Sequence, residues 1–234
     1  MTIAQGTDIH HQAVAAMETE DFSKALELSV QALILYQAEG NDAKFAEVVS
    51  LQYLLYNHLH RKTADRKFKI LAGHAAEASL DLAVASRDKT ALAIPAYNLF
   101  KHLESVGNWG EARTRLLFAI QHQTNFPHPS QSSPAILADM KVRLSLLPQI
   151  DGSYDPATPK NFETAIRVLE EAEHPDSHAK NVWVAGNYIH AADIGPDDDK
   201  AREYLAKAKT IIDSDPSLTI ISKRWEEVNA SFSS

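Results

Sequence analysis

The fold is decided by a spaced set of residues that first appears at residues 22–32, FSKALELSVQA. An aromatic residue opens this stretch, an alanine follows three positions later, and a second alanine follows seven positions after the first. The same spacing recurs at 109–119 (WGEARTRLLFA) and 162–172 (FETAIRVLEEA), and residues 198–208 (DDKAREYLAKA) repeat the two alanines without the aromatic. Such spacings place residues on one face of a helix, where alanine lets a second helix approach closely. The repeat therefore predicts helices that pack along an alanine-rich face.

Helical spacing of apolar residues extends along nearly the whole chain, and no stretch keeps a period of two, so no strand is predicted. Proline and glycine separate the periodic segments. The predicted helices lie at 7–18, 21–38, 42–61, 64–86, 88–106, 109–124, 134–147, 159–173, 178–193, 198–213 and 217–231. We expect an all-α chain of five antiparallel helix pairs and a last, capping helix. It would form one domain over residues 1–234, with a less regular pair and long loops at about 124–173.

A second set of residues recurs on the helix that precedes an alanine-rich face. Its copies are Ile9, Gln12, Ala13 and Ala16; Ala96, Leu99, Phe100 and Leu103; and Ala185, Tyr188, Ile189 and Ala192. The two sets together resemble the tetratricopeptide repeat family, which has Leu-Gly-x-x-Tyr on its first helix and Ala-x-x-x-Phe on its second. The best matches span residues 9–35 and 96–121, and a third spans 185–216.

The match departs from the family in two respects. Ala13, Phe100 and Ile189 stand where the family has glycine, and only the step from Ala165 to Ala201, 36 residues, is near the family period of about 34. The chain is therefore similar to a long-helix variant or to a relative with larger pairs. The resemblance implies a right-handed solenoid that acts as a scaffold or adaptor and binds a protein or peptide on its concave face.

The first helix of each pair lines that concave face, so the resemblance places the binding residues just off the packing set of these helices. They are His10, Val14, Met17, Tyr53, Asn57, His60, Tyr97, Lys101, Glu104, His190 and Asp193. A mixture of aromatic rings, methionine and histidine suits an extended peptide or a helix. Ordinary solvated surface, or contact with a neighbouring pair, is the alternative interpretation.

The charge distribution limits the partners. The chain carries 23 basic and 31 acidic side chains, a net charge of -8, which argues against nonspecific binding of nucleic acid. Five positive charges nevertheless fall within nine residues: Arg61, Lys62, Arg66, Lys67 and Lys69. This basic cluster could bind RNA or an acidic protein, or could be a solvated turn between two helices.

The sequence contains no motif that is typical of a catalytic or metal-binding site. The absence of cysteine excludes disulfides and thiolate catalysis. His58 and His60 would lie about 200° apart on a helix, and no glycine-rich phosphate loop or nucleophile elbow occurs. We therefore predict no enzyme activity, no catalytic residue, no metal and no cofactor. A ligand-responsive sensor is the alternative function to a static adaptor.

The expected location is the cytoplasm. No apolar run approaches the roughly 18 residues of a membrane span, and the first residues lack the pattern of a secretory signal. We expect a monomer or a weak dimer without a membrane partner.

Overall fold

The computed structural model describes residues 3–127, 133–150, 158–195 and 197–232. Within these ranges the chain forms eleven α-helices, one short 3-10 turn and no strand. The helices are α1 (Ile3–Glu18), α2 (Phe22–Glu39), α3 (Asp42–Thr63), α4 (Arg66–Ala85), α5 (Ala93–Ser105), α6 (Trp109–Asn125), α7 (Pro134–Ile150), α8 (Thr158–Glu171), α9 (Ser177–Ile194), α10 (Asp198–Ser214) and α11 (Thr219–Ser231). The prediction of an all-α chain is confirmed, and every predicted helix has a counterpart.

Short polar side chains begin several of these helices. The carboxylate of Asp21 accepts a hydrogen bond from the amide of Lys24, and Asn41 does the same for Lys44. Asp197 accepts from the amides of Asp199 and Lys200. Each contact satisfies a backbone donor that the first helical turn leaves unpaired.

The start of α5 differs from the prediction. The sequence predicts one helix over 88–106, whereas the structure has a 3-10 turn at Lys89–Ala91 and begins α5 at Ala93. Pro95 explains the later start, because a proline without an N–H donor is tolerated only in the first helical turn. Asp88 begins the 3-10 turn by accepting from the amide and the hydroxyl of Thr90, at 2.9 and 2.8 Å.

The alanine-rich faces form the inside of the helix packing. The buried alanines are Ala25, Ala32, Ala112, Ala119, Ala201 and Ala208. Also buried are the residues four positions after the first alanine of each copy, Ser29, Leu116, Leu169 and Leu205. Ala165 and Ala172 are partly buried against the core of their own region. The predicted packing role of this repeat is confirmed.

The contacts divide the chain into two compact units, Met1–His128 and Pro129–Ser234, and each is described by itself. In unit 1 the helices pack as the adjacent pairs α1–α2, α3–α4 and α5–α6, and α3 also contacts α1 and α5. Hydrogen bonds between side chains also join the pairs. Gln52 Nε2 donates to Ser29 Oγ at 3.2 Å, and Asn98 Nδ2 donates to Ser50 Oγ at 3.4 Å.

Unit 2 packs around α9. This helix pairs with α10 and also contacts α7, α8 and α11, while α7 pairs with α8. Asn187 Nδ2 of α9 donates to the buried carboxylate of Asp139 on α7 at 2.6 Å. The last helix packs on the α9–α10 pair, where Trp225 Nε1 donates to the carbonyl of Leu205 at 2.8 Å.

Much of the two long loops predicted near unit 2, residues 128–132 and 151–157, lies outside the described residues. None of the described helices combines the length and the apolar character that a membrane span requires.

Candidate functional site

The residues predicted to line a binding face on α1 take part in packing. The His10 ring meets the Tyr36 ring edge-on, with centroids 6.3 Å apart, and burial lowers the pKa of His10. Val14 and Met17 are partly buried against the core that α1, α2 and α3 share. A partner could reach only part of these side chains.

Two of the residues predicted on α3, Tyr53 and Asn57, lie on the face of this helix that meets α5. Tyr53 is buried, and Asn57 is partly buried. Ser50 precedes them by three and seven positions, so it lies on the same face of α3. Because Ser50 accepts the hydrogen bond from Asn98 of α5, this face is turned toward α5. His60 lies at the end of α3, where its Nδ1 is 3.0 Å from the carbonyl oxygen of Asp65.

The predicted residues on α5 and α9 differ in exposure. Tyr97 and Glu104 are buried, and Lys101 lies with its Nζ 4.1 Å from the centre of the Tyr97 ring, in a cation–π contact. On α9, His190 is buried and Asp193 is exposed. The predicted residues therefore range from buried to exposed, and their role in binding stays a prediction.

A cleft in unit 2 brings together functional side chains that the sequence did not single out. It lies between α8 and α10, with Tyr188 of α9 in its lining, and has a volume of about 390 Å³. Its lining residues are Glu163, Ile166, Arg167 and Glu170 from α8, Tyr188 from α9, and Lys200, Glu203, Tyr204 and Lys207 from α10. Small-molecule sites occupy roughly 300–1,000 Å³, so the cleft has room for a small ligand or a few peptide atoms.

Aromatic rings support one side of the cleft. The buried ring of Phe162 meets Tyr204 and Tyr188 edge-on, at centroid distances of 5.0 and 6.0 Å. The Tyr188 hydroxyl donates to Glu170 Oε1 at 2.7 Å. Burial, and next this contact with Glu170, raises the pKa of Tyr188, so its hydroxyl stays protonated and acts as a donor at neutral pH.

Charged side chains form the rim of the cleft. Lys200 Nζ lies 2.9 Å from Glu163 Oε1 on α8 and 3.0 Å from Glu203 Oε2 on α10, so it links the two helices. These two hydrogen bonds raise the pKa of Lys200. Lys207 Nζ lies 2.9 Å from Glu203 Oε1 and also faces the Tyr188 and Tyr204 rings, at 5.6 and 5.9 Å.

The charged rim residues are at helical spacing on both helices. On α8 the polar lining residues are at positions 163, 167 and 170, and on α10 they are at 200, 203 and 207. Each set covers two helical turns on one face. Charged residues at helical spacing are the signal in the sequence. Such sets are usual on exposed helix faces, and only the fold shows that these two face one cleft.

A second cluster in unit 2 has the residue types of a catalytic triad but lacks its geometry. His178 Nδ1 lies 3.1 Å from Asp215 Oδ2 and 2.9 Å from Ser217 Oγ, and Ser217 Oγ also donates to Asp215. A triad needs serine on one ring nitrogen and the carboxylate on the other. Here both partners meet Nδ1, and the hydrogen bond from Ser217 lowers the pKa of Asp215. The cluster ties the first turn of α9 to the turn between α10 and α11.

The basic cluster at residues 61–69 surrounds the turn between α3 and α4. Lys62 pairs with Glu20 at 3.6 Å, Lys67 pairs with Asp65 at 3.8 Å, and Lys69 Nζ donates to the carbonyl of Ser105. Several of its charges thus have partners within the chain, and its role in RNA binding stays a prediction.

No group of three or more histidine, cysteine, aspartate or glutamate side chains within the described ranges could hold a metal ion. No protein-family model matches the sequence, and no curated protein matches it significantly.

Proposed function

We propose that the chain is a scaffold that binds a protein or peptide, with the helix pairs of each unit stacked antiparallel in a right-handed, tetratricopeptide-like solenoid. The packed adjacent pairs and the buried alanine-rich faces support this proposal. Solenoids of this kind bind partners over extended surfaces formed by successive repeats.

The observation that carries the proposal is the composition of α2. From Leu26 to Tyr36, eight of eleven residues are apolar, which exceeds what one packed face requires. Leu28, Ala32, Leu35 and Tyr36 are buried, whereas Val30 is 49% and Ile34 is 61% exposed. A helix that is apolar around most of its circumference is normally covered on all sides. A protein partner that covers Val30 and Ile34 accounts for this composition.

Exposed apolar side chains also occur on other helices. The strongly exposed large apolar side chains that lie within the described helices are Val30, Ile34, Ile70, Leu71, Val84, Leu117 and Val168. They belong to α2, α4, α6 and α8, which are the second helices of their pairs. In unit 1 the proposed binding surface therefore lies on the second helices α2, α4 and α6, and α2 contributes its most exposed member, Ile34.

The test is a pull-down from an extract of the source cells, with captured proteins quantified by mass spectrometry. The variant Val30→Glu/Ile34→Glu introduces two charges on the exposed face of α2. The control His11→Glu/Ala15→Glu introduces the same charges at the same spacing, on exposed positions of the first helix α1, away from these apolar side chains. We expect wild type and control to capture a common protein that the α2 variant loses, with circular dichroism and thermal midpoints unchanged.

Two outcomes would contradict this surface. Capture of the same proteins by all three chains would remove α2 from the binding surface. Loss of a partner in a Lys101→Glu variant, with no loss in the α2 variant, would place the surface on the first helices instead. A concentration-dependent mass of the purified chain, abolished by Val30→Glu/Ile34→Glu, would identify the partner as a second copy.

A further inference from the structure

We propose that the exposed face of α4 binds the same face of a second copy of the chain, in an antiparallel dimer with a two-fold axis at His74. The proposal rests on the proposed function, because it assigns the α4 part of the binding surface to a particular partner. The two can still fail separately, since this one is tested on the purified chain with α2 unchanged.

The face of α4 that is turned to solvent carries large apolar side chains. Ile70 and Leu71 near its start are 50% and 42% exposed, and Val84 near its end is 57% exposed. At about 100° per residue, every exposed position from Arg66 to Ala85 falls within a sector of about 140°. No buried position interrupts that sector, so the exposed residues form one continuous face. Exposed apolar residues grouped in this way are typical of a contact with another protein.

The charges on this face are sorted by sign along the helix. Arg66 and Lys67 lie in the first turn, and Glu77 and Asp81 lie in the second half. Within the described part of the chain, Arg66 and Asp81 form no ion pair. Lys67 and Glu77 each pair with a close neighbour in sequence, at 3.8 and 3.9 Å, and exposed contacts of this kind contribute little. Both ends of the face can therefore pair with a partner of opposite charge.

The face is complementary to itself when one copy is reversed. Lys67 and Asp81 lie seven positions before and after His74, and Ile70 and Ala78 lie four positions before and after it. About a two-fold axis at His74, the basic end of each copy meets the acidic end of the other, and the large Ile70 side chain meets the small Ala78. A two-fold interface uses the same patch on both chains, so each favourable contact occurs twice. A parallel arrangement would bring like charges together.

The experiment is sedimentation velocity of the purified full chain from micromolar to millimolar concentration. One helix face gives a small interface, so we expect a reversible dimer with a micromolar dissociation constant. The variants Arg66→Glu/Lys67→Glu and Glu77→Lys/Asp81→Lys each place like charges opposite one another, and each should weaken the dimer at least about tenfold. An equimolar mixture of the two variants should dimerise like wild type, because opposite charges meet again in the mixed pair.

Two controls separate this surface from general effects. Lys160→Glu/Arg167→Glu makes the same change in net charge as the basic-end variant, on exposed positions of α8, and should leave the dimer unchanged. The chain has no cysteine, so one introduced thiol reports contact between copies. His74→Cys should form a disulfide with itself under mild oxidation, because a residue on the two-fold axis meets its own copy. Thr114→Cys, at an exposed position of α6, should not.

Several results would overturn the proposal. They are a wild-type chain that stays monomeric at millimolar concentration, a dimer that both charge variants keep, and a mixture of these variants that stays monomeric. Equal weakening by Lys160→Glu/Arg167→Glu, or cross-linking of Thr114→Cys as fast as His74→Cys, would also overturn it. A monomeric chain whose Arg66→Glu/Lys67→Glu variant loses a protein captured from the cell extract would assign the face to an acidic partner instead.

Discussion

Replacing Phe162 by leucine tests whether aromatic contacts stabilise unit 2 beneath the cleft. The Phe162 side chain is 1% exposed and meets the rings of Tyr204 and Tyr188 edge-on, at 5.0 and 6.0 Å. Each such pair contributes about 0.5–1.5 kcal/mol beyond the burial of area. Leucine keeps most of the buried apolar volume but loses both pairs, so the free energy of unfolding should fall by about 1–3 kcal/mol. Phe162→Ala also leaves a cavity and should cost about 3–5 kcal/mol.

The assay is urea unfolding followed by tryptophan fluorescence. A Trp109→Phe background leaves Trp183 and Trp225, both within unit 2, as reporters. Val168→Ala is the control, because this exposed residue on the same helix should change the stability by less than about 0.5 kcal/mol. A cost for Phe162→Leu below about 0.5 kcal/mol, or equal to that of Phe162→Ala, would refute a contribution from the ring pairs.

Three further predictions concern other parts of the chain. In Gly73→Ala the new Cβ would lie 2.6 Å from Nε2 of His102, so the ring must move and urea unfolding should show no gain in stability, whereas Gly110→Ala, with nothing within 4 Å, should gain up to about 1 kcal/mol. Burial lowers the pKa of His58 from 6.5 to about 4, so the unfolded chain binds this proton at higher pH than the folded chain. The free energy of unfolding should therefore fall as the pH drops from 6.5 to 4, and a His58→Gln variant that shows an undiminished fall would contradict this. Deleting residues 217–234 removes two buried aliphatic side chains, whose burial contributes about 3–6 kcal/mol to the free energy of unfolding. The thermal midpoint should therefore fall by at least roughly 6 °C. An unchanged midpoint would show that α11 is not a cap.

The helices could be predicted because their signals are local. The spacing from Phe22 to Ala32 depends only on the geometry of one helix, and the buried alanines confirm it. The cap at Asp197 is equally local, because its side chain accepts from amides only two and three positions later. The difference at the start of α5 comes from Pro95, whose position within the first turn outweighs the apolar periodicity before it.

The sites could not be predicted to the same extent because they depend on which helix faces which. Tyr53 was assigned to an open face, but the Ser50–Asn98 hydrogen bond shows that this side of α3 meets α5. Helical spacing identifies a row of side chains and does not tell whether solvent or another helix covers it. Likewise, Glu163 and Lys200 are 37 residues apart, and nothing local to either one indicates their contact.

The central position of α9 has a consequence for how the chain can change during evolution. Arrays whose pairs touch only nearest neighbours can gain or lose a pair at small cost. In unit 2 the loss of α7 would leave the buried amide of Asn187 without Asp139, and the loss of the turn before α11 would leave His178 and Asn181 without Asp215. Unit 2 should therefore be inherited as one piece, and insertions and deletions among homologous chains should fall in the connections between its helices.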